Sequence, residues 1–250
     1  MVVPVGRDPG RLARVVGRIQ SAGGQAVEPL RADFSSLSEV RRLASELLAR
    51  HERIDVLVNN AGTYTRRREL TVDGHERTFA VNHLAPFLLT NLLLERLSAS
   101  APARVVSTSS DAHRGGTLDF DDLEMERRWS GLRAYSNSKL ANVLFTRALA
   151  RRLEGWGVIA NCFHPGFVGT RLVRGGLVSL AWTAARPFAH RPRSGADTLV
   201  YLASSPDAGT LSGQYLVDRR PAAVVGQAAD EDAAELLWEI SESLVGLRPD

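Results

Sequence analysis

The segment IDVLVNNAG, residues 54–62, decides the fold of this chain. Its first part, residues 54–58, is a largely apolar run of the kind found in strands that are buried on both faces of a parallel sheet. Its second part, residues 59–62, ends the strand with small and polar residues. Open parallel sheets bind ligands beyond the carboxyl ends of their strands, so we predict that this turn borders a binding site.

On both sides of this segment, short runs of β-type composition alternate with longer runs of helical periodicity. The alternation predicts a doubly wound, Rossmann-like α/β fold in which residues 1–250 form a single domain. The predicted strands are residues 2–5, 25–30, 54–58, 104–108, 158–163 and 214–217. The predicted helices are residues 8–22, 36–51, 73–97, 131–154, 194–203 and 230–244.

The composition argues against several classes of protein. The 250 residues include 31 basic and 28 acidic side chains, a formal net charge of +3, which is too balanced for a typical nucleic-acid-binding protein. The single cysteine, Cys162, lies in an apolar run and predicts a core residue in a reducing compartment, with no metal site. We find no signal peptide and no transmembrane segment, so we expect a cytoplasmic protein, either a monomer or a homo-oligomer.

Tyr135 and Lys139 give the strongest chemical signal in the chain. Residues four apart on a helix project from the same face, so these two side chains could act as one unit. A free phenol has a pKa of about 10, and a neighbouring ammonium should lower it, so that the hydroxyl can exchange a proton with a substrate oxygen. Many helices carry this spacing without any catalytic role. However, 30 of the 31 basic residues are Arg and only Lys139 is Lys, which favours a chemical function for it.

Two polar groups follow predicted strands. Ser109 and Ser110 come directly after residues 104–108, where a hydroxyl could donate to a developing oxyanion. The alternative is a serine pair that only forms a turn. The segment 59–62 could likewise bring its backbone against a ribose, tie neighbouring strands together, or form a tight turn without further function.

Five motifs in sequence order make the chain resemble the short-chain dehydrogenase/reductase family from residue 2 to its end. The family pattern has Asn-Asn-Ala-Gly after the fourth strand, an Asn in the next helix, a Ser after the fifth strand, Tyr-x-x-x-Lys, and Pro-Gly with a Thr four residues later. Here the pattern falls on Asn59, Asn60, Ala61, Gly62, Asn82, Ser110, Tyr135, Lys139, Pro165, Gly166 and Thr170. Residues 81–84, 87–90, 119–123, 138–142 and 237–241 are similar to the retinol dehydrogenase-like and WW-domain oxidoreductase-like branch.

The resemblance implies a role for each matched residue. Tyr135 would be the acid/base, and Lys139 would lower its pKa and hold the nicotinamide ribose. Ser110 would orient the substrate carbonyl, and Asn82 would support a proton relay. The residues that would line the cofactor are Arg7, Asp33 at the adenine, Asn59, Ala61, Gly62, Pro165, Gly166, and Val168 and Thr170 at the carboxamide.

The choice between NADP(H) and NAD(H) depends on the end of the first predicted strand. An acid there would hydrogen-bond a ribose 2′-hydroxyl, whereas an Arg would accommodate a 2′-phosphate. Position 6 is Gly and position 7 is Arg. We therefore expect NADP(H), unless Arg7 is only a solvated loop residue.

The chain departs from the family pattern at its beginning. Family members start with a strand, a Thr-Gly-x-x-x-Gly-x-Gly loop and a helix, but residues 2–6 already resemble the second strand. The first strand and helix, about 30 residues or the scale of one βαβ unit, are therefore expected to be missing. That strand is central in the usual order, so its two neighbours should be separated by a gap. A truncated gene model and a real fragment with weak cofactor binding both fit this pattern.

These observations predict an oxidoreductase that transfers hydride between NADP(H) and a hydrophobic aldehyde, ketone or alcohol. The alternative is an N-terminally truncated, noncatalytic Rossmann-fold protein that binds cofactor weakly or not at all. Residues 171–193 mix apolar and basic side chains and are predicted to form a lid over an apolar substrate.

Overall fold

Parallel strands form the frame of the molecule. The computed structural model describes residues 1–25, 28–166 and 196–247. Within these residues the strands are β1 (Val5–Gly6), β2 (Leu30–Arg31), β3 (Val56–Asn59), β4 (Ala103–Thr108), β5 (Val158–His164), β6 (Tyr215–Val217) and β7 (Arg220–Pro221). Strands β3, β4, β5 and β6 pair in parallel in that order, and β7 adds an antiparallel edge. The predicted α/β fold with a parallel sheet is confirmed.

Strands β1 and β2 form a separate two-stranded parallel sheet. No strand within the described residues lies between β1 and β3, which is the gap that the sequence predicts. Both short strands lie further toward the carboxyl end than the predicted residues 2–5 and 25–30. Val58 is 39% exposed, so the prediction that β3 is buried on both faces is wrong at this position, where β3 is an edge strand.

Helices cover both faces of the five-stranded sheet. Within the described residues they are α1 (Pro9–Ser21), α2 (Leu37–Arg50), α3 (Arg77–Phe79), α4 (Ala85–Ala99), α5 (Gly131–Arg152), α6 (Asp197–Ser204) and α7 (Glu231–Leu244). Successive strand residues point to opposite faces, and accordingly Val105 and Val106 of β4 belong to two different apolar clusters. The first cluster packs against α2, α4, α5 and α7, and the second contains Leu202 of α6. None of the helices in the described ranges is both long enough and apolar enough to cross a bilayer.

Acidic side chains cap the N-termini of the first and last helices in the described residues. Asp8 caps α1 by accepting a hydrogen bond from the amide of Arg11 at 2.8 Å, with Pro9 in the first turn. Asp230 caps α7 by accepting from the amide of Ala233 at 3.0 Å. Such caps satisfy amides that have no partner inside the helix, and both helix starts agree with the sequence prediction.

The predicted helix over residues 73–97 is neither continuous nor regular. It begins only at Arg77, and a π-helical segment, Ala80–Leu84, separates α3 from α4. The wider turn of a π-helix re-aims the side chains that it carries, and such segments are frequent at functional sites. Asn82 lies within this one.

His75 links the acidic segment 118–126 to the end of α7. Its Nδ1 lies 2.8 Å from Oε1 of Glu124, and its Nε2 lies 3.2 Å from the carbonyl oxygen of Leu244. A carboxylate and a carbonyl only accept hydrogen bonds, so both contacts are made when both ring nitrogens carry a proton. The hydrogen bond with Glu124 accordingly raises the pKa of His75 above 6.5, although burial opposes this shift.

We expect His75→Gln to destabilise the protein in a pH-dependent way. Because the folded-state pKa is raised, the stabilisation is fully present below about pH 6.5 and is lost as the pH rises through the folded-state value. The variant should lose about 2 kcal/mol of unfolding free energy at pH 6 and progressively less toward pH 9. Urea unfolding of both proteins across this range measures the difference. His51→Gln, at the end of α2, is the control, and a His75→Gln deficit that is the same at every pH contradicts the prediction.

Candidate active site

The predicted site residues follow three strands that end at the same edge of the sheet. In the parallel register Asn59 of β3 lies opposite Ser107 of β4, and Thr108 of β4 lies opposite Phe163 of β5. The loops after β3, β4 and β5 therefore leave the sheet side by side. Helix α5 packs against β4, β5 and the segment Asp111–Gly115, and it carries Tyr135 and Lys139 to this edge.

The two serines after β4 do different things. Ser109 is buried, and its Oγ donates to the carbonyl oxygen of Lys139 at 2.8 Å, which ties β4 to α5. The Oγ of Ser110 accepts from the amide of Ala112 at 3.2 Å and interacts with the hydroxyl of Tyr135. The fold thus brings Ser110 to Tyr135 and uses Ser109 to hold the helix.

Burial dominates the electrostatics of the Tyr-Lys pair. It raises the pKa of Tyr135, an effect that the hydrogen bond with Ser110 offsets only in part, and it lowers the pKa of Lys139 to about 8. The Nζ of Lys139 lies 5.6 Å from the centre of the Tyr135 ring and donates to the carbonyl oxygen of Thr108 at 3.0 Å. The expected lowering of the Tyr135 pKa by the ammonium is therefore wrong for this structure. The phenol is protonated at neutral pH.

Asn82 joins the loop after β3 to helix α5. Its Oδ1 accepts from the amide of Thr63 at 2.7 Å, while its Nδ2 donates to the Thr63 carbonyl at 3.0 Å and to Oγ of Ser138 at 2.9 Å. Both amide hydrogens are engaged, so this side chain holds the loop beside Lys139. Its support for a proton relay stays a prediction.

Asn59, the last residue of β3, has a structural role, whereas the turn that follows it exposes its backbone. The Nδ2 of Asn59 donates to Oγ1 of Thr90 at 3.0 Å and to Oγ of Ser107 at 3.4 Å, so this side chain ties strands to a helix. Its contact with the cofactor stays a prediction. Ala61 and Gly62 are exposed. A Cβ on Gly62 would stand only 3.8 Å from the Nζ of Lys139, so the exposed backbone lies directly in front of the ammonium.

Arg7 and Asp33 come together at the ends of β1 and β2, on the separate two-stranded sheet. The Nη1 of Arg7 lies 3.9 Å from Oδ2 of Asp33, and Ser35 donates to Oδ1 through its amide at 2.9 Å and its hydroxyl at 2.7 Å. Burial raises the pKa of Asp33, but the hydrogen bonds from Ser35 and the charge of Arg7 outweigh it and lower the pKa overall. The carboxylate is therefore held ionised next to the guanidinium.

Pro165 and Gly166 follow β5 and close the described part of the site. Gly166 has a φ of +73°, in the left-handed region that favours glycine. Val168, Thr170 and the predicted lid, residues 171–193, lie outside the described residues.

Comparison with known sequences identifies the family. A sequence profile of the family described as short chain dehydrogenase matches residues 1–176. The chain belongs to the short-chain dehydrogenase family. The resemblance that its motifs carry is confirmed, and membership of this family indicates an NAD(P)-dependent oxidoreductase.

Relatives within the family confirm the retinol dehydrogenase-like branch. Mouse retinol dehydrogenase 14 is 46% identical over an alignment of 223 residues. The match covers 86% of this chain and 66% of the mouse protein, so the chain spans just under two thirds of that relative. A protein of Streptomyces sp. strain C5, named as the daunorubicin C-13 ketoreductase DnrU, is 44% identical over 98% of this chain and 84% of its own length. A crystal structure of an uncharacterized protein from Mycobacterium paratuberculosis has a TM-score of 0.73 and 32% identity, and covers 98% of this chain and 92% of that one.

The donor groups at the sheet edge fit the nicotinamide nucleotide of this family. Among the described residues, the carbonyl of Thr108 is the one hydrogen-bond acceptor of the Lys139 ammonium, so two of its three N–H donors remain for ribose hydroxyls. The exposed backbone of Ala61 and Gly62 allows a ligand to approach the ammonium closely. When bound, the nucleotide would supply or accept the hydride.

Sequence reasoning missed the groups that hold Lys139 and Tyr135 in place. The carbonyl of Thr108 binds the ammonium, and a backbone group leaves no signal in residue type. Asn142 donates to the same carbonyl at 3.2 Å, one helical turn beyond Lys139, a spacing that could have indicated it. Tyr64 packs edge-on against Tyr135 with ring centres 6.2 Å apart, a contact across the fold that no local pattern reveals.

Proposed function

We propose that this chain transfers hydride between a nicotinamide nucleotide and a carbonyl or alcohol carbon, with Tyr135 moving the proton. The observation that carries the proposal is the interaction of the Tyr135 hydroxyl with Ser110 beside the buried ammonium of Lys139. In reduction the protonated phenol donates to the substrate oxygen, and the Ser110 hydroxyl donates a hydrogen bond to that same oxygen. In oxidation the phenol must first lose its proton, so this direction is favoured at higher pH.

The substrate in this proposal is a hydrophobic aldehyde, ketone or alcohol. The names of two relatives, a retinol dehydrogenase and a ketoreductase of daunorubicin, support a bulky apolar molecule that carries a carbonyl or a hydroxyl group. The apolar residues of the predicted lid, among them Leu177, Trp182 and Phe188, support the same substrate class.

The cofactor in this proposal is NADP(H). The guanidinium of Arg7 at the end of β1 supports it, because an Arg at this position can bind a 2′-phosphate. Arg7→Ala should weaken NADPH binding about tenfold, as expected for one lost charge-assisted contact, and leave NADH binding unchanged. Arg11→Ala, on the adjacent turn of α1 and similarly exposed, is the matched control. Equal losses for both nucleotides would show that Arg7 does not read the phosphate.

The experiment that tests the function is a fluorescence titration with NADPH followed by turnover. We expect saturable binding and oxidation of bound NADPH when a long-chain aldehyde such as retinal is added, measured by loss of absorbance at the dihydronicotinamide band. Binding without turnover of any aldehyde, ketone or alcohol would contradict the proposal.

The gap between β1 and β3 favours one other candidate, a noncatalytic protein that keeps the fold. In parallel α/β sheets the nucleotide lies across the strand ends at the centre, so a sheet that is divided there should hold it less tightly. Failure of NADPH to bind at all would favour this second candidate over the enzyme.

A further inference from the structure

Three of the segments that carry the closer family resemblance meet inside the protein. Residues 81–84 lie in the π-helical segment, residues 138–142 lie on α5, and residues 237–241 lie on α7. Each contributes a polar side chain, at most 4% exposed, to one buried group. These side chains are His83, Asn142 and Ser241.

One end of this buried group reaches the catalytic lysine. The carbonyl oxygen of Thr108 accepts from the Nζ of Lys139 at 3.0 Å and from the Nδ2 of Asn142 at 3.2 Å. A carbonyl oxygen has two lone pairs, so the amide and the ammonium together saturate it. Asn142 therefore limits how this carbonyl can turn and where the ammonium can lie.

The other end reaches the last helix. The Nε2 of His83 lies 2.9 Å from Oγ of Ser241. Burial lowers the pKa of His83 to about 3, so the ring is neutral and has one donor and one acceptor nitrogen. If the Ser241 hydroxyl donates to Nε2, the proton of the ring is on Nδ1.

The middle of the group joins the two ends. The Asn142 side chain interacts with the His83 ring. His83 Nδ1 and Asn142 Oδ1 are both buried, and neither atom has a hydrogen-bond partner among the described residues. An Nδ1–H donor turned toward Oδ1 would satisfy both atoms and would fix which end of the Asn142 amide faces Thr108. Unpaired buried polar atoms are costly, which favours this pairing.

We infer that Asn142 is a positioning residue for Lys139, and that His83 and Ser241 hold the Asn142 amide in the orientation that this requires. The chain of donors runs from the Ser241 hydroxyl through the imidazole and the amide to the Thr108 carbonyl. It couples the docking of α7 to the geometry of the ammonium. The catalytic meaning of this inference rests on the proposed function, but the arrangement itself does not.

The sole lysine makes the inference measurable without turnover. The 250-residue chain labelled with ¹³Cε-lysine gives one lysine signal, whose shift reports the protonation of Lys139 as the pH changes. The native midpoint should lie near 8. Asn142→Leu removes the second donor that fixes the Thr108 carbonyl, so the carbonyl can turn and the buried ammonium is left with a less well-aligned acceptor. The midpoint should therefore fall by about one pKa unit.

Thr146→Val is the matched control, because Thr146 is a buried polar residue one turn further along the same helix. Its hydroxyl donates to the backbone carbonyl of Asn142 at 2.7 Å and interacts with the thiol of Cys162, but it does not contact the Thr108 carbonyl. It should leave the lysine midpoint unchanged. A folded Asn142→Leu protein with the native midpoint, or equal shifts in both variants, would overturn the inference.

Two substitutions of His83 test the middle of the chain, also in case Asn142→Leu does not fold. Asn carries its amide nitrogen near the position of Nδ1, whereas Gln carries it near that of Nε2. His83→Asn should therefore keep the native lysine midpoint, and His83→Gln should lower it as Asn142→Leu does. The same midpoint in both His83 variants rejects the role of His83. Failure of the native protein to bind NADPH would reject the proposed function and leave this titration unaffected.

Discussion

Tyr135→Phe should reduce the turnover number about a thousandfold, the typical contribution of a positioned general acid, while NADPH binds as before. The substitution removes one oxygen atom and keeps the ring that packs against Tyr64. Burial raises the pKa of Tyr135, so the native phenol is a proton donor at neutral pH. The rate of carbonyl reduction by the native protein should therefore stay level at neutral pH and fall as the pH rises through that raised pKa. Steady-state kinetics across the pH range measure both effects.

Tyr64→Phe is the control for this experiment. It removes a hydroxyl from the neighbouring ring, and its effect on the turnover number should be small. Retained activity in Tyr135→Phe would show that another group supplies the proton. Equal losses in both variants would show that the aromatic pair matters for packing and not for chemistry.

The position of the site could be predicted from the sequence because it depends on strand ends. Polar residues that directly follow buried parallel strands must emerge at one edge of the sheet, whatever the details of packing. That rule places the turn at 59–62 and Ser110 at the same edge of the sheet. The parallel register then confirms their proximity.

The roles of individual side chains at that edge were harder to predict. Asn59 and Ser109 are of the same chemical types as their neighbours Asn60 and Ser110, yet both are buried and hold strands and helices together. Strand alternation sends successive side chains to opposite faces, so the face that meets the ligand depends on register. Residue type alone does not report it.

The electrostatics could not be predicted from spacing. A Tyr and a Lys four apart predict a lowered phenol pKa, but burial affects both groups more strongly than their mutual attraction. The ammonium of Lys139 on α5 donates its hydrogen bond to the carbonyl of Thr108, which is the last residue of β4. Desolvation and backbone acceptors are properties of the assembled fold, and a local motif contains neither.

Trp238→Ala should be the most destabilising single substitution that we predict. Trp238 is 4% exposed, and it packs edge-on against Phe87 with ring centres 4.9 Å apart and nearly parallel to Phe145 at 5.8 Å. The guanidinium carbon of Arg152 lies 4.0 Å from its ring centre. Removing a buried Trp leaves a cavity and deletes aromatic and cation–π contacts, so the free energy of unfolding should fall by about 3–5 kcal/mol. Urea unfolding followed by circular dichroism measures the change.

Leu236→Ala is the control on the same helix, since Leu236 is 42% exposed and its truncation should change the unfolding free energy by about 0.5 kcal/mol or less. Trp238→Phe should fall between the two. Because Ser241 follows Trp238 by three residues and points into the same core, loosening α7 should also weaken the contact between Ser241 and His83. A loss of stability in Trp238→Ala no larger than that in Leu236→Ala would mean that the aromatic contacts of Trp238 do not hold α7 in place.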